Sequence, residues 1–345
     1  MSSTDDGRKN ASTQAVRHPS LADVALLAGV SHMTVSRVVN GTGPVRAETR
    51  ARVEAAVRKL DYQPNSAARA LATGRSQTLG VIALDSTLYG PASTLYGIEK
   101  AARDAGYAIT ISSISRPEVR SIANAVDGLR RQAVEGILVI APHVSAGRAL
   151  EQMSRDVTMV AVGAAESAPM PVVAVDQRDG ARRATEHLLA LGHRTVWHIA
   201  GPEDWLEARA RERGWRETLA LHGIDAPRVL RGDWSPRSGY EAGRALVTES
   251  GVTAVFVAND QMALGMLRAF AEAGLAVPTD VHVVGFDDVP EAAYFSPPLT
   301  TVRQDFTEVG RQAFELLLAR LGDEDSPHRH LITPELVVRE STGPR

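Results

Sequence analysis

The sequence of 345 residues contains no cysteine, which excludes disulfide bridges and metal sites built on thiolates. It has no apolar run long enough to span a bilayer. Residues 1–20 are polar and lack the apolar segment of a secretory signal. We therefore interpret residues 1–17 as a disordered tail and expect a cytoplasmic protein that does not associate with membranes.

The sequence also lacks the motifs that mark common enzyme classes. No Gly-x-Gly-x-x-Gly follows the first predicted strand, and there is no lysine-containing phosphate loop, no His-Glu-x-x-His and no Gly-x-Ser-x-Gly. The adjacent carboxylates Asp287 and Asp288 are poorly placed to flank a glycosidic bond. His328 and His330 are interpreted as solvated loop residues rather than metal ligands. We expect a protein that is not an enzyme, with no cofactor and no metal site.

The charge is divided unevenly along the chain. Residues 1–76 hold 11 Lys/Arg and 6 Asp/Glu, a net charge of +5, whereas residues 77–345 hold 27 and 35, a net charge of −8. A small basic segment on a larger acidic body favours a polyanion as partner of the first segment. Basic segments can also be merely solvated, so charge alone does not decide this.

Three short helices are predicted within residues 20–62. Ser20 can cap the first helix, and Gly29 ends it. Ser31 can cap a second helix that runs to about Val39, and a third covers roughly residues 47–60. Two helices joined by a tight turn at a glycine are typical of a helix-turn-helix.

The second of these helices carries polar side chains suited to DNA. The N-terminal end of a recognition helix faces base edges in the major groove, and an arginine there can donate twice to guanine. Hydroxyl and amide side chains can bind phosphates, which set the register of the protein on the duplex. A three-helix cap with a solvated polar face is the alternative interpretation. The candidate DNA-binding residues are Ser31, His32, Met33, Thr34, Ser36, Arg37 and Asn40.

From Leu79 onward, short β-prone apolar runs alternate with helical stretches. This alternation predicts parallel sheets with helices on both faces, and the number of runs is too large for one small sheet. We therefore expect two doubly wound parallel-sheet lobes, with a ligand site beyond the carboxyl ends of the strands. The predicted strands are Leu79–Leu84, Tyr107–Ser112, Gly136–Ala141, Val157–Val162, Val172–Val175, Thr195–Ala200, Val229–Leu230, Ala254–Ala258 and Val281–Phe286.

Nearly the whole chain resembles the LacI family (LacI/GalR type) of transcriptional regulators, and its body is most similar to the lac repressor subgroup. The segments that carry the resemblance include Gly29-Val30-Ser31, Thr34–Asn40, Tyr62–Asn65, Ala258–Gly265, Val283–Asp288 and Pro298–Gln304. The resemblance implies an N-terminal all-α helix-turn-helix head plus an α/β periplasmic-binding-protein-like core of two lobes. The expected domains are residues 18–64 for the head, 65–76 for a hinge helix and linker, and 77–345 for an effector-binding and dimerisation core. Lobe 1 is expected at about 77–174 and 305–331, and lobe 2 at about 175–304 and 332–345.

The resemblance also implies a hinge helix after Tyr62-Gln63-Pro64-Asn65 that folds on operator DNA. Asn65, Arg69 and Leu71 are its candidate DNA-binding residues, and Leu71 stands where the family wedges a leucine into the minor groove. A packing role in the linker is the alternative for Leu71. Arg46 departs from the family, which usually has a serine capping the third helix.

Carried over position by position, the family's effector contacts fall on residues whose chemistry suits a sugar. Arg, Asn and Asp bind adjacent hydroxyls, whereas Trp and Phe supply flat apolar walls. Each residue also has a structural alternative: core packing for Trp234, helix capping for Asp287, loop shaping for Asn259 and a surface ion pair for Arg211. The candidate effector-binding residues are Leu88, Tyr89, Pro91, Arg211, Trp234, Asn259, Asp287, Gln304 and Phe306.

Two positions depart from the lac-type pocket. Gly163 stands where that pocket has an aspartate, and Ile140 stands where it has an asparagine. Two polar contacts of that pocket are therefore missing, which argues against galactosides and leaves another mono- or oligosaccharide open. Glu207, Asp85 and Asp176 are the nearby polar residues that could compensate.

The expected function is sequence-specific repression by a homodimer on near-palindromic double-stranded operator DNA, controlled by a sugar or glycoside bound between the lobes. No leucine heptad follows Glu340, so a dimer rather than a tetramer is predicted. The same DNA role with a non-sugar corepressor, either a purine or a phosphorylated metabolite, is the first alternative. A sugar-binding module without gene regulation is the second.

Overall fold

The computed structural model describes residues 19–41, 43–63, 74–84, 86–114, 118–140, 143, 157–163, 170–324 and 327–343. They fall into two compact units, one within residues 1–76 and the other from Gln77 onward. We call these units the head and the body.

The head contains helices α1 (Leu21–Ala28), α2 (His32–Asn40) and α3 (Ala47–Leu60). Ser20 and Asp23 form a capping box at the start of α1, and Ser31 caps α2 by accepting from the Thr34 N–H. The axes of α1 and α2 meet at 107°, which lies within the range of helix-turn-helix motifs. Val24, Val35 and Val53, one from each helix, are fully buried, so the three helices share one small core.

The first lobe of the body is a six-stranded, fully parallel sheet with helices on both faces. Its elements are β1 (Thr78–Leu84), α4 (Tyr89–Asp104), β2 (Ala108–Ile114), α5 (Val119–Arg131), β3 (Gly136–Ile140), β4 (Thr158–Val162), β5 (Val172–Val175), α10 (Phe306–Leu321) and β11 (Arg329–Ile332). The strand order is β11-β5-β4-β3-β1-β2. Alternate residues of β1 point to opposite faces, so Leu79 and Val81 pack with α4 and α10 while Ile82 and Leu84 pack with α5.

The second lobe repeats this architecture with one antiparallel edge strand. Its elements are α6 (Gln177–Ala190), β6 (Trp197–Ala200), α7 (Leu206–Leu221), β7 (Leu230–Arg231), α8 (Pro236–Val247), β8 (Ala254–Val257), α9 (Asp260–Glu272), β9 (His282–Asp287), β10 (Thr300–Arg303) and β12 (Glu335–Val337), with 3₁₀ turns at Pro290–Tyr294 and Glu340–Thr342. The strand order is β12-β10-β9-β8-β6-β7, and only β12 runs antiparallel to its neighbour. Val255 and Val257 pack with α8 and α9, whereas Phe256 packs with α6 and α7 on the other face.

The described chain passes between the two lobes three times. The crossings lie between β5 and α6, between β10 and α10, and between β11 and β12. The first two crossings bring residues 176–177 and 304–305 beside the carboxyl ends of the strands, which is where ligands bind in such sheets.

Three strands were not predicted from the sequence. The strands β10, β11 and β12 are only three or four residues long, and Thr300 and Thr301 make β10 look polar. Both threonines are nevertheless fully buried, because the Thr301 hydroxyl donates to Asp260 Oδ1 at 2.6 Å and the Thr300 hydroxyl pairs with that of Thr342 at 2.7 Å.

No single helix among the described residues is long and apolar enough to cross a membrane, and α1 with α2 meets that test only as a pair across their 107° bend. The described part of the chain also contains no group of three His, Asp or Glu side chains that could hold a metal ion.

Candidate effector cavity and DNA-binding face

A cavity of about 360 Å³ lies between the two lobes. This volume is in the range of small-molecule sites. All nine residues that the sequence proposes as effector contacts line it: Leu88, Tyr89, Pro91, Arg211, Trp234, Asn259, Asp287, Gln304 and Phe306. Most of its polar residues follow strands of the second lobe, as Asn259 follows β8 and Gln304 follows β10.

Four polar side chains form a closed ring on one wall of the cavity. Arg211 Nε donates to Gln177 Oε1 at 2.8 Å, Gln177 Nε2 donates to Gln304 Oε1 at 2.6 Å, and Gln304 Nε2 donates to Asp287 Oδ1 at 2.6 Å. Asp287 Oδ1 closes the ring 3.6 Å from Arg211 Nη2. The ring spans both crossings that flank the cavity, because Gln177 follows β5 and Gln304 follows β10.

Arg211 is almost completely engaged by the protein itself. Besides Gln177 and Asp287, its Nη1 donates to the carbonyl oxygen of Ala258. Its guanidinium lies 3.9 Å from the ring centroid of Phe286, a cation–π distance. The side chain is therefore a fixed, buried donor rather than a free cation.

Asp287 ends β9 with its carboxylate buried among the ring residues. Burial raises the pKa of Asp287 to about 6, although Arg211 and the Gln304 amide hold it below the value that burial alone would give. The backbone φ of Asp287 is 111° and that of Trp234 is 73°, and residues other than glycine rarely adopt such positive values. Such strain concentrates at functional sites, where the surrounding structure holds it in place.

Asn259 shapes the cavity wall through every polar atom of its amide. Its Oδ1 accepts from the Met262 N–H at 3.0 Å and caps α9, while Nδ2 donates to the Trp234 carbonyl at 3.1 Å and to Gln261 Oε1 at 2.9 Å. Asn259 therefore shapes the local loop and helix end, as its structural alternative predicts, and it also lines the cavity.

Aromatic side chains form the apolar walls. Trp205 and Trp234 meet edge to face with centroids 5.4 Å apart, and Tyr89 and Phe306 do the same at 5.7 Å. Within the described residues, the shielded Trp234 Nε1 has no hydrogen-bond partner, although a buried indole usually finds one.

Glu207 and Gly163 meet where the two lobes approach each other. Glu207 lies in the first turn of α7, and its Oε2 is shielded from solvent without a hydrogen-bond partner in the described part of the chain. Burial raises the pKa of Glu207 to about 8, an effect that a hydrogen bond from its own backbone N–H and the charge of Arg211 only partly offset. Ile140 lines the same cavity as an apolar residue, and Glu207 is the lining carboxyl group that approaches Gly163.

Sequence reasoning did not propose Gln177 or Trp205, although both line the cavity. Gln177 is joined to Gln304 across 127 positions of sequence, and no local pattern signals such a contact. Trp205 directly precedes α7, so its place at the carboxyl end of β6 was the signal that could have found it.

The remaining body candidates have other roles or lie outside the described residues. Asp176 caps α6 by accepting from the Asp179 N–H at 2.9 Å, and it lines a smaller cavity behind Glu207. Asp288 binds Arg339 and Arg303 rather than facing the effector cavity. Asp85 is not among the described residues.

The structure places the predicted DNA-binding residues of α2 on one open face of the head. Val35 and Val38 point inward, whereas the side chains of His32, Met33 and Arg37 are exposed. The hydroxyls of Ser31 and Thr34 lie 2.9 Å apart, and Asn40 Nδ2 donates to Ser36 Oγ at 3.1 Å. Arg46 makes no side-chain cap on α3. Asn65, Arg69 and Leu71 lie outside the described residues.

A helix-turn-helix head followed by a two-lobed body with an enclosed cleft defines a ligand-binding transcriptional regulator. Residues 20–65 match the model of bacterial regulatory proteins of the lacI family, and residues 185–342 match a periplasmic binding protein-like domain. The chain is 37% identical over 324 residues to the lactose operon repressor of Escherichia coli, covering 93% of this chain and 90% of the relative. It is 32% identical over 330 residues to the repressor PurR of Haemophilus influenzae, covering 93% and 98%.

Solved structures show the same similarity. A lac repressor dimer bound to operator and the anti-inducer ONPF superposes with a TM-score of 0.87 at 36% identity, over 94% of this chain and 99% of that one. A complex of the regulator CelR with cellobiose gives 0.69 at 33% identity, over 94% and 99%. The chain belongs to the LacI family and is a DNA-binding transcriptional repressor, which confirms the expected fold class. These relatives are named repressors and regulators rather than enzymes, in agreement with the absence of catalytic motifs.

Proposed function

We propose that this repressor binds a near-palindromic operator as a homodimer, and that a neutral sugar or glycoside in the interlobe cavity controls its affinity for that operator. The observation that carries the proposal is the cavity itself, in which a ring of polar side chains faces aromatic walls. A sugar presents hydroxyls along its edge and apolar faces above and below, so these two kinds of wall complement it.

The charges around the cavity favour a neutral ligand over a phosphorylated one. Arg211 is the only cation among the described lining residues, and it is already bound to Gln177, Ala258 and Asp287. Helix N-termini at the cavity attract negative charge, but Asp287 and Glu207 already supply carboxyl groups there. Among the described lining residues a phosphate would find no free cation, and the carboxylate of Asp287 would repel it.

The proposed control follows from where the polar ring sits. Gln177 and Gln304 belong to two of the three crossings and are hydrogen-bonded to Arg211 and Asp287, so a ligand that binds Arg211 and Asp287 acts, through these bonds, on the segments about which the lobes would rotate. A ligand that prefers one lobe arrangement shifts the population towards it, and linkage transmits this preference to the DNA-binding head.

The relatives support the same assignments without deciding the effector. One solved relative is a dimer bound to operator and the anti-inducer ONPF, and another holds cellobiose. By analogy, we place operator DNA, a second copy of this chain and a sugar as the partners of this repressor. Light scattering should give the mass of a dimer, whereas a tetramer mass would contradict the proposal.

The test combines selection of bound sites from random DNA with a ligand panel. The purified repressor should enrich a palindromic site, and one neutral sugar should change its affinity for that site. A site that responds only to a purine or phosphorylated metabolite would keep the DNA role and overturn the sugar. Failure to enrich any site would overturn the operator proposal.

Two variants locate the DNA contact. Arg37→Ala should weaken operator binding by about 1–3 kcal/mol if Arg37 reads a base, which is roughly 5- to 150-fold. Arg58→Ala is the matched control, because Arg58 is exposed in the last turn of α3 and its substitution removes the same charge from the head. Equal losses in the two variants would show that Arg37 acts through charge alone.

A further inference from the structure

The carboxyl group of Glu207 occupies the space beside Gly163 that a side chain at position 163 would enter. A Cβ atom added at Gly163 would lie 2.6 Å from Glu207 Oε1, closer than real Cβ contacts, and Gly163 has a φ of 70°. Gly163 follows β4 in the first lobe, whereas Glu207 lies in α7 of the second. The carboxyl group of Glu207 therefore fills space that it would have to share with any side chain at position 163.

The protein satisfies only part of the hydrogen-bonding capacity of the Glu207 carboxyl group. The backbone N–H of Glu207 itself donates to the group, whereas Oε2 is shielded from solvent and has no hydrogen-bond partner in the described part of the chain. Such an unsatisfied oxygen destabilises a folded protein. The neighbouring Arg211 directs its own hydrogen bonds to Gln177 and Ala258 instead. A shielded carboxyl oxygen without a partner, on the wall of a ligand cavity, is explained if the ligand provides the partner.

We propose that Glu207 determines effector specificity by hydrogen-bonding one hydroxyl group of a neutral sugar, and that Gly163 lacks a side chain so that Glu207 can occupy this position. The inference rests on the proposed function and adds the group that selects among sugars.

The protonation of Glu207 agrees with this role. Burial raises the pKa of the carboxyl group to about 8, so at neutral pH it is mainly protonated and can both donate and accept. A hydroxyl group also donates and accepts, so the two groups match each other. Arg211, which lowers this pKa, and Asp287, which raises it, are the charged groups that face Glu207 most strongly.

The decisive experiment removes the same interaction from each side. With a sugar that binds the full-length repressor, Glu207→Ala should weaken binding about tenfold or more. Among the monodeoxy analogues of that sugar, one should bind the unchanged repressor about tenfold more weakly than its parent, yet bind Glu207→Ala within about twofold of the parent. Glu203→Ala is the control, because Glu203 is 69% exposed and pairs with Arg231 outside the cavity.

A second arm needs no ligand. Gly163→Ala should lower the melting temperature, and this loss should be about 2–4 °C smaller when Glu207→Ala is also present, because the close contact is then removed. Equal losses in the two backgrounds would refute the proposed fit between the two residues.

The outcomes separate this inference from the proposed function. A sugar that binds Glu207→Ala as tightly as the unchanged repressor, with the same order of deoxy analogues, overturns the role of Glu207 alone. If the full-length repressor binds a phosphorylated metabolite and no sugar, both the proposed sugar effector and the role of Glu207 are overturned. The proposed operator contact of Arg37 is unaffected by that result.

Discussion

Helices α8 and α9 touch through glycine, so adding one methyl group there should separate them. A Cβ atom at Gly265 would lie 1.7 Å from the Pro236 carbonyl oxygen and 2.7 Å from the Tyr240 nitrogen. Both are backbone atoms of α8, and they cannot move aside without moving the helix. Gly128 in α5 is the matched control, because the nearest atom to its added Cβ is the flexible end of Arg131 at 3.9 Å.

The two substitutions should change stability in opposite directions. Alanine is preferred over glycine inside a helix by about 1 kcal/mol, so Gly128→Ala should stabilise the body by roughly 0.5–1 kcal/mol. At Gly265 the same gain competes with overpacking, which costs about 1–3 kcal/mol and often more when backbone is displaced. The net effect of Gly265→Ala should therefore be a destabilisation of about 1–2 kcal/mol.

Urea unfolding of the intact repressor measures both changes, and thermal melting should show about 2–4 °C for each kcal/mol. The effector should also bind Gly265→Ala more weakly, because Pro236 lines the cavity and must shift with α8. A Gly265→Ala variant that melts at or above the temperature of the unchanged protein would refute the packing argument.

Three further changes test other parts of the molecule. Ser31→Ala removes the cap of α2, so the head should lose about 1 kcal/mol, measured by amide hydrogen exchange in the intact chain; unchanged protection would contradict the cap. Burial between Trp215 and Phe256 lowers the pKa of His198 from 6.5 to about 3, so the folded state loses stability as the pH falls below 6.5. Between pH 6.5 and about pH 4, the melting temperature of His198→Phe should therefore fall less than that of the unchanged protein. Equal falls in the two proteins would contradict this. Gln177→Ala opens the polar ring, so the effector should bind more weakly and change operator affinity less, as fluorescence titrations would show; an unchanged coupling would exclude Gln177 from the transmission.

Local chemistry and strand order were enough to predict much of the fold. Ser20, Gly29 and Ser31 signal helix ends through their own backbone and hydroxyl preferences: α1 lies between Ser20 and Gly29, and α2 begins directly after Ser31. The apolar runs of the body become strands because a sheet covered on both faces buries every residue of a strand, as in Gly136–Ile140.

The cavity required more than local pattern. Strand ends and family resemblance together indicated residues such as Asp287 and Trp234, but neither predicts that Asp287 would share a ring with Gln177. Likewise, the sequence shows that Gly163 lacks a side chain, and only the folded chain shows that Glu207 occupies the space. Contacts between distant segments depend on how the two lobes pack against each other, and no periodicity in the sequence predicts that packing.

The triple crossing between lobes has a consequence for how this protein is made. Helix α10 packs against β3, β4 and β5 of the first lobe, and β11 completes that sheet beside β5, yet both are synthesised after nearly all of the second lobe. The ribosome therefore releases the earlier strands of lobe 1 with part of an apolar face uncovered until residues 306–332 emerge, although α4 already packs on that face. Domains usually fold in order from the N-terminus during synthesis, but here each lobe receives its last strand, β11 or β12, only after nearly all of the chain has been made. A chain stopped before α10 should present that uncovered face to chaperones.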